Sequence, residues 1–459
     1  VVTSSESVVV ALQSAGLRVS RPGQPDYADA TSPENGSVTQ HPIAVAHPTS
    51  SAEAAAVVRQ AAASGLVIAV QGTGHGAARS LGCETLLVDS RALSSIEVDP
   101  VSRIATVGAG AEWGPVQEAA EKYGLLSLAG TSPLVGVSGY TFGGGVGWLT
   151  RPHGLASAAL RSVEFVDGEG VVREATEDAE REEDREALWA FRGGQPVGIA
   201  TSLQFDLAPV PDLYAGYLLW PAADARAVVP AWAAALDALP SSVTSTMALL
   251  QLPPDDNFPP ELRNSPAVHL SFASTTGADA CSPLLDAVRA AAAPAVDTAG
   301  PSGAERLAGI HLDPPPGQPS RGVGRWLTDD AAARALDLFA AARIGESDGL
   351  RMIEVRHVAA DASPRAGALT TVPAPFLMQG LGDASPEHLQ NTEAALQRVE
   401  RAAEPVDAGR AFPSFATGSS DPGAAFPEAT AVRLATAAAR LDPHGIFRFE
   451  RAARESVGD

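Results

Sequence analysis

The segment Gly72-Thr73-Gly74-His75-Gly76 follows directly on the apolar run Val67-Ile68-Ala69-Val70. An imidazole is a nucleophile and a proton acceptor near neutral pH. Glycines at alternate positions let the backbone take conformations closed to residues with a Cβ and come close to a large ligand. A second stretch, Gly130 to Arg151 (GTSPLVGVSGYTFGGGVGWLTR), carries many glycines among Val, Leu, Phe and Trp. It reads as a place where main-chain amides lie against a ligand, and a pyrophosphate is the usual occupant. Neither stretch is GxGxxG opening a helix or GxxxxGK[ST], so the Rossmann and P-loop readings lack their defining context. Taken alone, His75 is as compatible with a satisfied loop or core position as with chemistry.

Further candidates come from strand periodicity in the second half of the chain. In Ala267 to Ala273, Val268, Leu270 and Phe272 share one face and leave His269 and Ser271 on the other. In Arg351 to Val358, Ile353 and Val355 oppose Glu354 and Arg356, and Gln379 alternates with Met378 and Gly380. If helices cover the apolar face, these polar side chains line a cavity. The alternative is a structural Glu354–Arg356 pair and a solvated His269.

The elements that must position these groups follow from the same patterning. Ser4 to Leu17 predicts an amphipathic helix, Arg21 to Gly36 a loop and Pro42 to Pro48 a strand. Ser50 and Glu53 form a capping box for a helix ended by Gly65. The strand before His75 comes next, then strands at Leu86 to Asp89 and Ile104 to Val107, a helix from Trp113 to Tyr123 closed by Gly124, and a hairpin of Leu160 to Asp167 with Val171 to Ala175. From Pro209 to about Phe412, strands at Tyr217 to Trp220, Val243 to Leu252, Ala267 to Ala273, Arg351 to Val358 and Phe376 to Leu381 alternate with helices at Asp224 to Leu236, Ser282 to Ala292, Asp329 to Ala342 and Glu387 to Ala402. This predicts an α+β unit with an antiparallel sheet backed by helices. The proline clusters at Pro253 to Pro260 and Pro314 to Pro319 read as stiff connections.

Composition sets the outer limits. At 459 residues, two domains, or one interrupted by another, are expected. A hydrophobic content of 45 % excludes a disordered chain, and no apolar run is long enough to cross a bilayer. The net charge of −22 argues against nucleic acid or an anionic membrane as partner. The two cysteines, Cys83 and Cys281, support no disulfide framework and, with no visible signal peptide, suggest the cytoplasm. Cys83 reads as a buried, inert thiol.

Four ordered blocks carry a resemblance: the strand-GxGH turn, GTSPLVGVSGYTFGGGVGWLTRPHGLAS, Leu188 to Thr201 (LWAFRGGQPVGIAT) and the LDPHGIFRF of Leu441 to Phe449. Together they resemble the flavin-linked oxidases of the vanillyl-alcohol oxidase type, with a PCMH-type FAD domain, in the berberine-bridge-enzyme-like branch and its bacterial relatives such as the 6-hydroxynicotine oxidases. The resemblance implies an α+β fold: a PCMH-type FAD-binding domain of two α/β subdomains over residues 1–210, an inserted substrate domain on an antiparallel sheet over 211–412, and a C-terminal return over 413–459. It implies FAD joined covalently to His75. The cysteine that makes a second bond in many relatives is replaced by Ser132, a poor nucleophile without an activating base, so one link is expected.

By the same resemblance Gly72, Thr73, Gly74, Gly76, Gly130, Thr131, Ser132, Val135, Gly136, Gly139, Tyr140, Gly143, Gly144, Gly145 and Gly147 wrap the cofactor, with Gly198, Ile199 and Phe447 contributing. Two blocks depart from the pattern: Gln195-Pro196 stands where relatives have Asn-Phe, and Glu450 where they have an asparagine near the flavin. Relatives often use a tyrosine from the C-terminal half as base, but Tyr27, Tyr123, Tyr140, Tyr214 and Tyr217 all precede residue 218. The base is then sought among Glu354, His269, His357 and Tyr140, with Arg356 and Gln379 contacting substrate. The expected reaction is hydride transfer from an alcohol or amine carbon of a small molecule, such as a secondary metabolite, to flavin, with O2 as acceptor and H2O2 as product. Alternatives are a flavin-scaffolded cyclase without net redox change and a binding protein that has lost its cofactor.

Overall fold

The computed structural model describes residues 5–345, 349–361, 363, 365–415 and 425–448. Its first sheet has four strands, β1 (Val19–Ser20), β2 (Ala44–Ala46), β3 (Val67–Gln71) and β4 (Thr85–Asp89), in the order β1-β2-β4-β3. β2, β4 and β3 are parallel, as they must be when a helix crosses from one to the next. That crossover, the helix Ser51–Ser64, starts where Ser50 Oγ accepts the Glu53 amide at 3.3 Å and ends at Gly65, whose φ of 66° is the left-handed cap position. Glu53 reaches back to the Thr49 amide at 2.7 Å rather than to Ser50, so the box closes one residue earlier than its pattern predicts. The expected loop at Arg21 to Gly36 contains a one-turn helix, Pro25–Ala30, for which Pro25 supplies a pre-set φ at the first turn.

A second, wholly antiparallel sheet follows, of β5 (Ile96–Asp99), β6 (Ile104–Gly108), β7 (Leu160–Val166), β8 (Val172–Ala175) and β9 (Ile199–Asp206), in the order β5-β6-β9-β7-β8. The expected hairpin is β7–β8, closed at the Val166–Val172 pair. Between β6 and β7 come the helix Trp113–Glu121 and the glycine-rich stretch, which pack on the second sheet's core. The helix Glu428–Leu441 packs beside Glu182–Phe191 near the chain's end, and Phe447 bridges to Ile68 of β3.

The third sheet is the largest: β10 (Tyr214–Pro221), β11 (Val243–Gln251), β12 (Pro266–Ser274), β13 (Val296–Asp297), β14 (Ser320–Leu327), β15 (Leu350–His357), β16 (Phe376–Asp383) and β17 (Asp407–Ala411), in the order β13-β10-β12-β11-β15-β16-β14-β17, with Gly300–Pro301 pairing on β10. Helices Ala225–Ala235, Ser282–Ala291, Ala335–Ala342 and Leu389–Ala403 cover one face and bury Val268, Leu270, Phe272, Ile353, Val355 and Met378 with it. That is the face expected from alternation. The other face turns toward the first two sheets, and register aligns His269, Ala248, Glu354, Gln379 and Gly324 as neighbours on five strands.

Strand β14 does not stand out in the sequence, because Gly322 and Gly324 interrupt it. Both glycines are required by packing: a Cβ on Gly324 would lie 2.6 Å from Phe415 Cβ, and one on Gly322 2.9 Å from the Phe415 carbonyl. The segment Phe412 to Phe415 thus lies against β14, and Ser414 Oγ donates to the Gly143 carbonyl at 3.2 Å. This contact ties the large sheet to the glycine-rich stretch.

Candidate functional site

At the end of β3 the chain enters the glycine turn at the carboxyl edge of the parallel sheet, where ligands of such sheets collect. Gly74 holds a φ of 72°, and a Cβ there would press on Pro33. The loop 33–36 lies along the turn: Glu34 N donates to Thr73 O at 3.0 Å, Asn35 N to Gly74 O at 3.3 Å, and Asn35 Nδ2 to Ala77 O at 2.9 Å. His75 is half exposed, and its Nδ1 lies 2.8 Å from Glu34 Oε1. Burial alone would lower its pKa, but the hydrogen bond and charge of Glu34, with a contribution from Asp313, raise it. Among the described residues, the amides of Gly72, Thr73, Gly74 and Gly76 have no acceptor.

The second glycine stretch supplies a facing row. Trp113 N donates to Val135 O at 3.1 Å and Val137 N to Ala111 O at 2.9 Å, which fixes the strand-like segment leading into the short helix Val137–Phe142. The amides of Gly130, Thr131, Ser132, Val135 and Gly136 have no acceptor among the described residues. The nearest atom to a Cβ built on Gly136 is Thr73 Oγ1, at 3.8 Å, so the two rows face each other across a narrow gap. Cβ positions at Gly76 and Gly139 meet nothing within 4 Å. Tyr140 packs under Gly130 and edge-on to Trp113 at 5.6 Å. Tyr140 Oη, Thr141 Oγ1, Trp113 Nε1 and Trp148 Nε1 are buried with no hydrogen-bond partner among the described residues.

Opposed amide rows, glycines open on the facing side and several buried orphan donors fit a dinucleotide whose phosphates lie on main-chain N–H groups. Because the Gly136 backbone is in an ordinary extended conformation with room around it, Gly136→Val should fold with an unchanged melting temperature in the flavin-free state. Its flavin occupancy on purification, read from the visible absorbance per chain, should fall at least several-fold.

Other expected cofactor residues have protein-packing roles. Gly144 (φ 98°) and Gly145 (φ 72°) take left-handed turns against Leu369 and between Tyr140 and Ala156, and Gly147 sits on the Ala129 carbonyl. Gly143 follows the helix Val137–Phe142 and receives Ser414. Gly198 lies against the Val166 carbonyl, where any Cβ would collide with β7, and Ile199 opens β9 fully buried. Phe447 is buried in the core beneath β3 and bridges to Ile68 of the strand that carries the turn.

On the opposite side, the polar face of the large sheet brings a charged cluster to the turn. Asp313 Oδ1 lies 2.8 Å from His311 Nδ1, and His311 Nε2 lies 3.0 Å from Glu354 Oε2. Arg356 Nε donates to Glu354 Oε1 at 2.6 Å, and its Nη2 donates to Gln379 Oε1 at 3.2 Å. The Arg356 guanidinium rests on the Phe415 ring at 4.9 Å, and Trp148 approaches the His311 ring edge-on at 6.4 Å. Leu312, at φ 63°, takes the left-handed turn that sets His311 and Asp313 side by side. Gly317 N donates to Glu34 O at 2.9 Å and Ser320 N to Asn35 Oδ1 at 3.2 Å, so the same loop that borders the His75 turn also holds the 313–320 segment. Burial opposes the charge on His311, but the two carboxylates prevail and raise its pKa to about 9.

These contacts correct three candidates for the base. Glu354 is wholly buried with both oxygens engaged, so it supports the cluster instead of meeting a substrate. His269 is buried rather than solvated, bonds the Ile310 carbonyl at 3.0 Å and is held neutral by burial and the nearby His311 charge, with a pKa of about 3. His357 stacks on Phe376 at 5.2 Å and is also kept neutral by burial. Burial raises the pKa of Tyr140, whose hydroxyl has no partner among the described residues. Cys83 is exposed, not buried. Glu450 lies outside the described residues. His311 and Asp313 carry no periodic pattern because they border a proline-rich connection; a His and an Asp two residues apart are the one local signal.

Residues 42–176, which hold both amide rows, match the FAD binding domain family. The chain is 34 % identical over 191 residues to (R)-6-hydroxynicotine oxidase of Paenarthrobacter nicotinovorans, a match covering 40 % of each chain. It therefore matches less than half the length of this curated relative. Its fold is similar to that of Physcomitrella patens BBE-like 1, with a TM-score of 0.81 at 18 % identity over 96 % of this chain and 98 % of that one. It is also similar to the glucooligosaccharide oxidase of Acremonium strictum, with a TM-score of 0.77 at 17 % identity over 96 % and 97 %. Residues 42–176 thus match an FAD binding domain, and the chain has the fold of Physcomitrella patens BBE-like 1 and of the glucooligosaccharide oxidase.

Proposed function

We propose that this protein is an FAD-dependent oxidoreductase that oxidises an alcohol or amine carbon of a small organic molecule and passes the electrons to dioxygen. The observation that carries this reading is the meeting, at His75, of two rows of unengaged amides from the FAD binding domain with a buried acid–base cluster from the large sheet. Bound FAD would supply the hydride acceptor and the route to dioxygen. Gly72 to Gly76 and Gly130 to Gly136 would hold its phosphates, Tyr140 and Trp113 would support the intervening backbone, and Glu34 would orient the imidazole of His75.

His75 is the residue we assign to a covalent link. Support comes from its position on an open glycine turn and from the glucooligosaccharide oxidase, whose structure is described as having 6-S-cysteinyl, 8α-N1-histidyl FAD. The Ser132 hydroxyl accepts from the Leu134 amide and has no base beside it among the described residues to make it a nucleophile, so a second link is not expected. The name of the nicotine oxidase and that of the glucooligosaccharide oxidase span amine and alcohol substrates, and both chemistries fit the reading.

Anaerobic mixing of the yellow protein with an oxidisable substrate tests it. Bleaching of the flavin absorbance, restored by air with one H2O2 released per product, is expected. Product formed without bleaching would overturn it in favour of a cyclase.

A further inference from the structure

We propose that Asp313 is the proton acceptor of the reaction, held in place by His311, Glu354 and Arg356, and that the substrate is consequently an alcohol. This rests on the oxidoreductase reading above. Among the described residues, the cluster opens at Asp313. The side chains of His311, Glu354 and Arg356 are 0–6 % exposed, whereas that of Asp313 is 30 % exposed. Asp313 Oδ1 is taken by His311, and Oδ2 has no hydrogen-bond partner among the described residues.

Each buried member is satisfied by the next: His311 by Asp313 and Glu354, Glu354 by His311 and Arg356, and Arg356 by Glu354 and Gln379. An ion pair serving only to join strands would need neither an imidazole between two carboxylates nor an open carboxylate at its end. The charged groups facing Asp313 are His75 on the glycine turn, itself paired with Glu34 of loop 33–36, and His311 with Arg356 behind it, while His269 stays neutral and Tyr140 protonated.

The chemistry follows from proton balance. When a carbinol carbon is oxidised to a carbonyl, the C–H bond leaves with its electron pair as hydride and the O–H bond breaks to leave a proton. Asp313 Oδ2 takes that proton. The cluster, with two carboxylates, one imidazolium and one guanidinium, then passes from zero net charge to +1. That charge complements the negative charge that hydride brings to the flavin. A neutral amine gives up hydride without releasing a proton in the same step and needs no such group.

The test uses the flavin-loaded full chain, with cellobiose, xylobiose and benzyl alcohol as hydroxyl probes and the two enantiomers of 6-hydroxynicotine as amine probes. A hydroxyl probe should bleach the flavin anaerobically. Asp313→Asn should slow that bleaching at least 100-fold, within the usual range for loss of a general base, and abolish the acidic limb of its pH profile at unchanged flavin content. His311→Gln should move that limb without removing it, a change that a purely structural role would not cause. Bleaching by an amine probe at equal rates in wild type and Asp313→Asn would overturn the proposal.

A substrate-free measurement stands beside it. In 15N-histidine spectra at pH 8, both His311 nitrogens should be protonated in the wild type and not in Asp313→Asn; a neutral wild-type ring would overturn it. Protein that purifies without flavin would instead count against the oxidoreductase reading itself.

Discussion

Replacing His75 with alanine should give a folded protein from which acid precipitation releases all of the flavin, whereas wild-type protein keeps its yellow colour in the pellet. The imidazole is half exposed and contacts the protein through Glu34, so its removal leaves no cavity in a packed core. The turn itself depends on the glycines and on the main-chain bonds from Glu34 and Asn35, which the substitution leaves intact. Cofactor bound to the amide rows alone should still appear in freshly purified protein and be lost on denaturation. Substrate oxidation should slow as well, because a flavin fixed to an imidazole is a better hydride acceptor than a free one.

The second large effect is on stability. Glu354→Leu removes the buried carboxylate between Arg356 and His311 and leaves two cations facing each other, with Arg356 Nη2 3.2 Å from His311 Nε2. Breaking one partner of a buried pair costs about 3–5 kcal/mol, a large share of the ~5–15 kcal/mol that holds a domain folded. Urea denaturation should show the loss, and Glu354→Leu/Arg356→Met should recover most of it by removing the stranded guanidinium as well.

The same cluster sets a pH dependence. The His311 pKa is raised to about 9 in the folded protein, so its stabilisation is complete below the unfolded value near 6.5 and lost as pH rises through about 9. That shift corresponds to roughly 3 kcal/mol. Glu354 is shifted down, chiefly by Arg356 and His311 against the cost of burial, so its contribution is present above the unfolded carboxylate value and lost in acid. Stability should therefore fall on both the acidic and the alkaline side of neutrality, and His311→Gln should flatten the alkaline side.

Much of this site was legible because it is written in the backbone. Gly72, Gly74 and Gly76 after an apolar strand, and the repeated glycines around Tyr140, mark main chain that must approach something. Among the described residues, the amides of Gly72, Gly74, Gly76, Gly130 and Gly136 find no acceptor. Strand alternation likewise put Glu354, Arg356 and Gln379 on one face. It could not say what lies above that face, and there burial changed the roles: Glu354 and His269 are enclosed, and Asp313 is the open carboxylate. The His311–Asp313 pair depends on a left-handed Leu312 and on loop 33–36 from the other end of the chain, neither of which has a local pattern. Gly147 and Gly198 lie against the carbonyls of Ala129 and Val166, and in sequence a glycine that admits a neighbouring carbonyl looks like one that admits a ligand.

The assignment of the cofactor site rests on position 75, and peptide mass spectrometry reads it directly. Trypsin cuts after Arg59 and Arg79 to release one peptide, 60–79, with a single histidine. In flavin-loaded protein that peptide should carry the mass of FAD on His75, with Ser132 unmodified. An unmodified 60–79 peptide from protein that is visibly yellow would contradict the account.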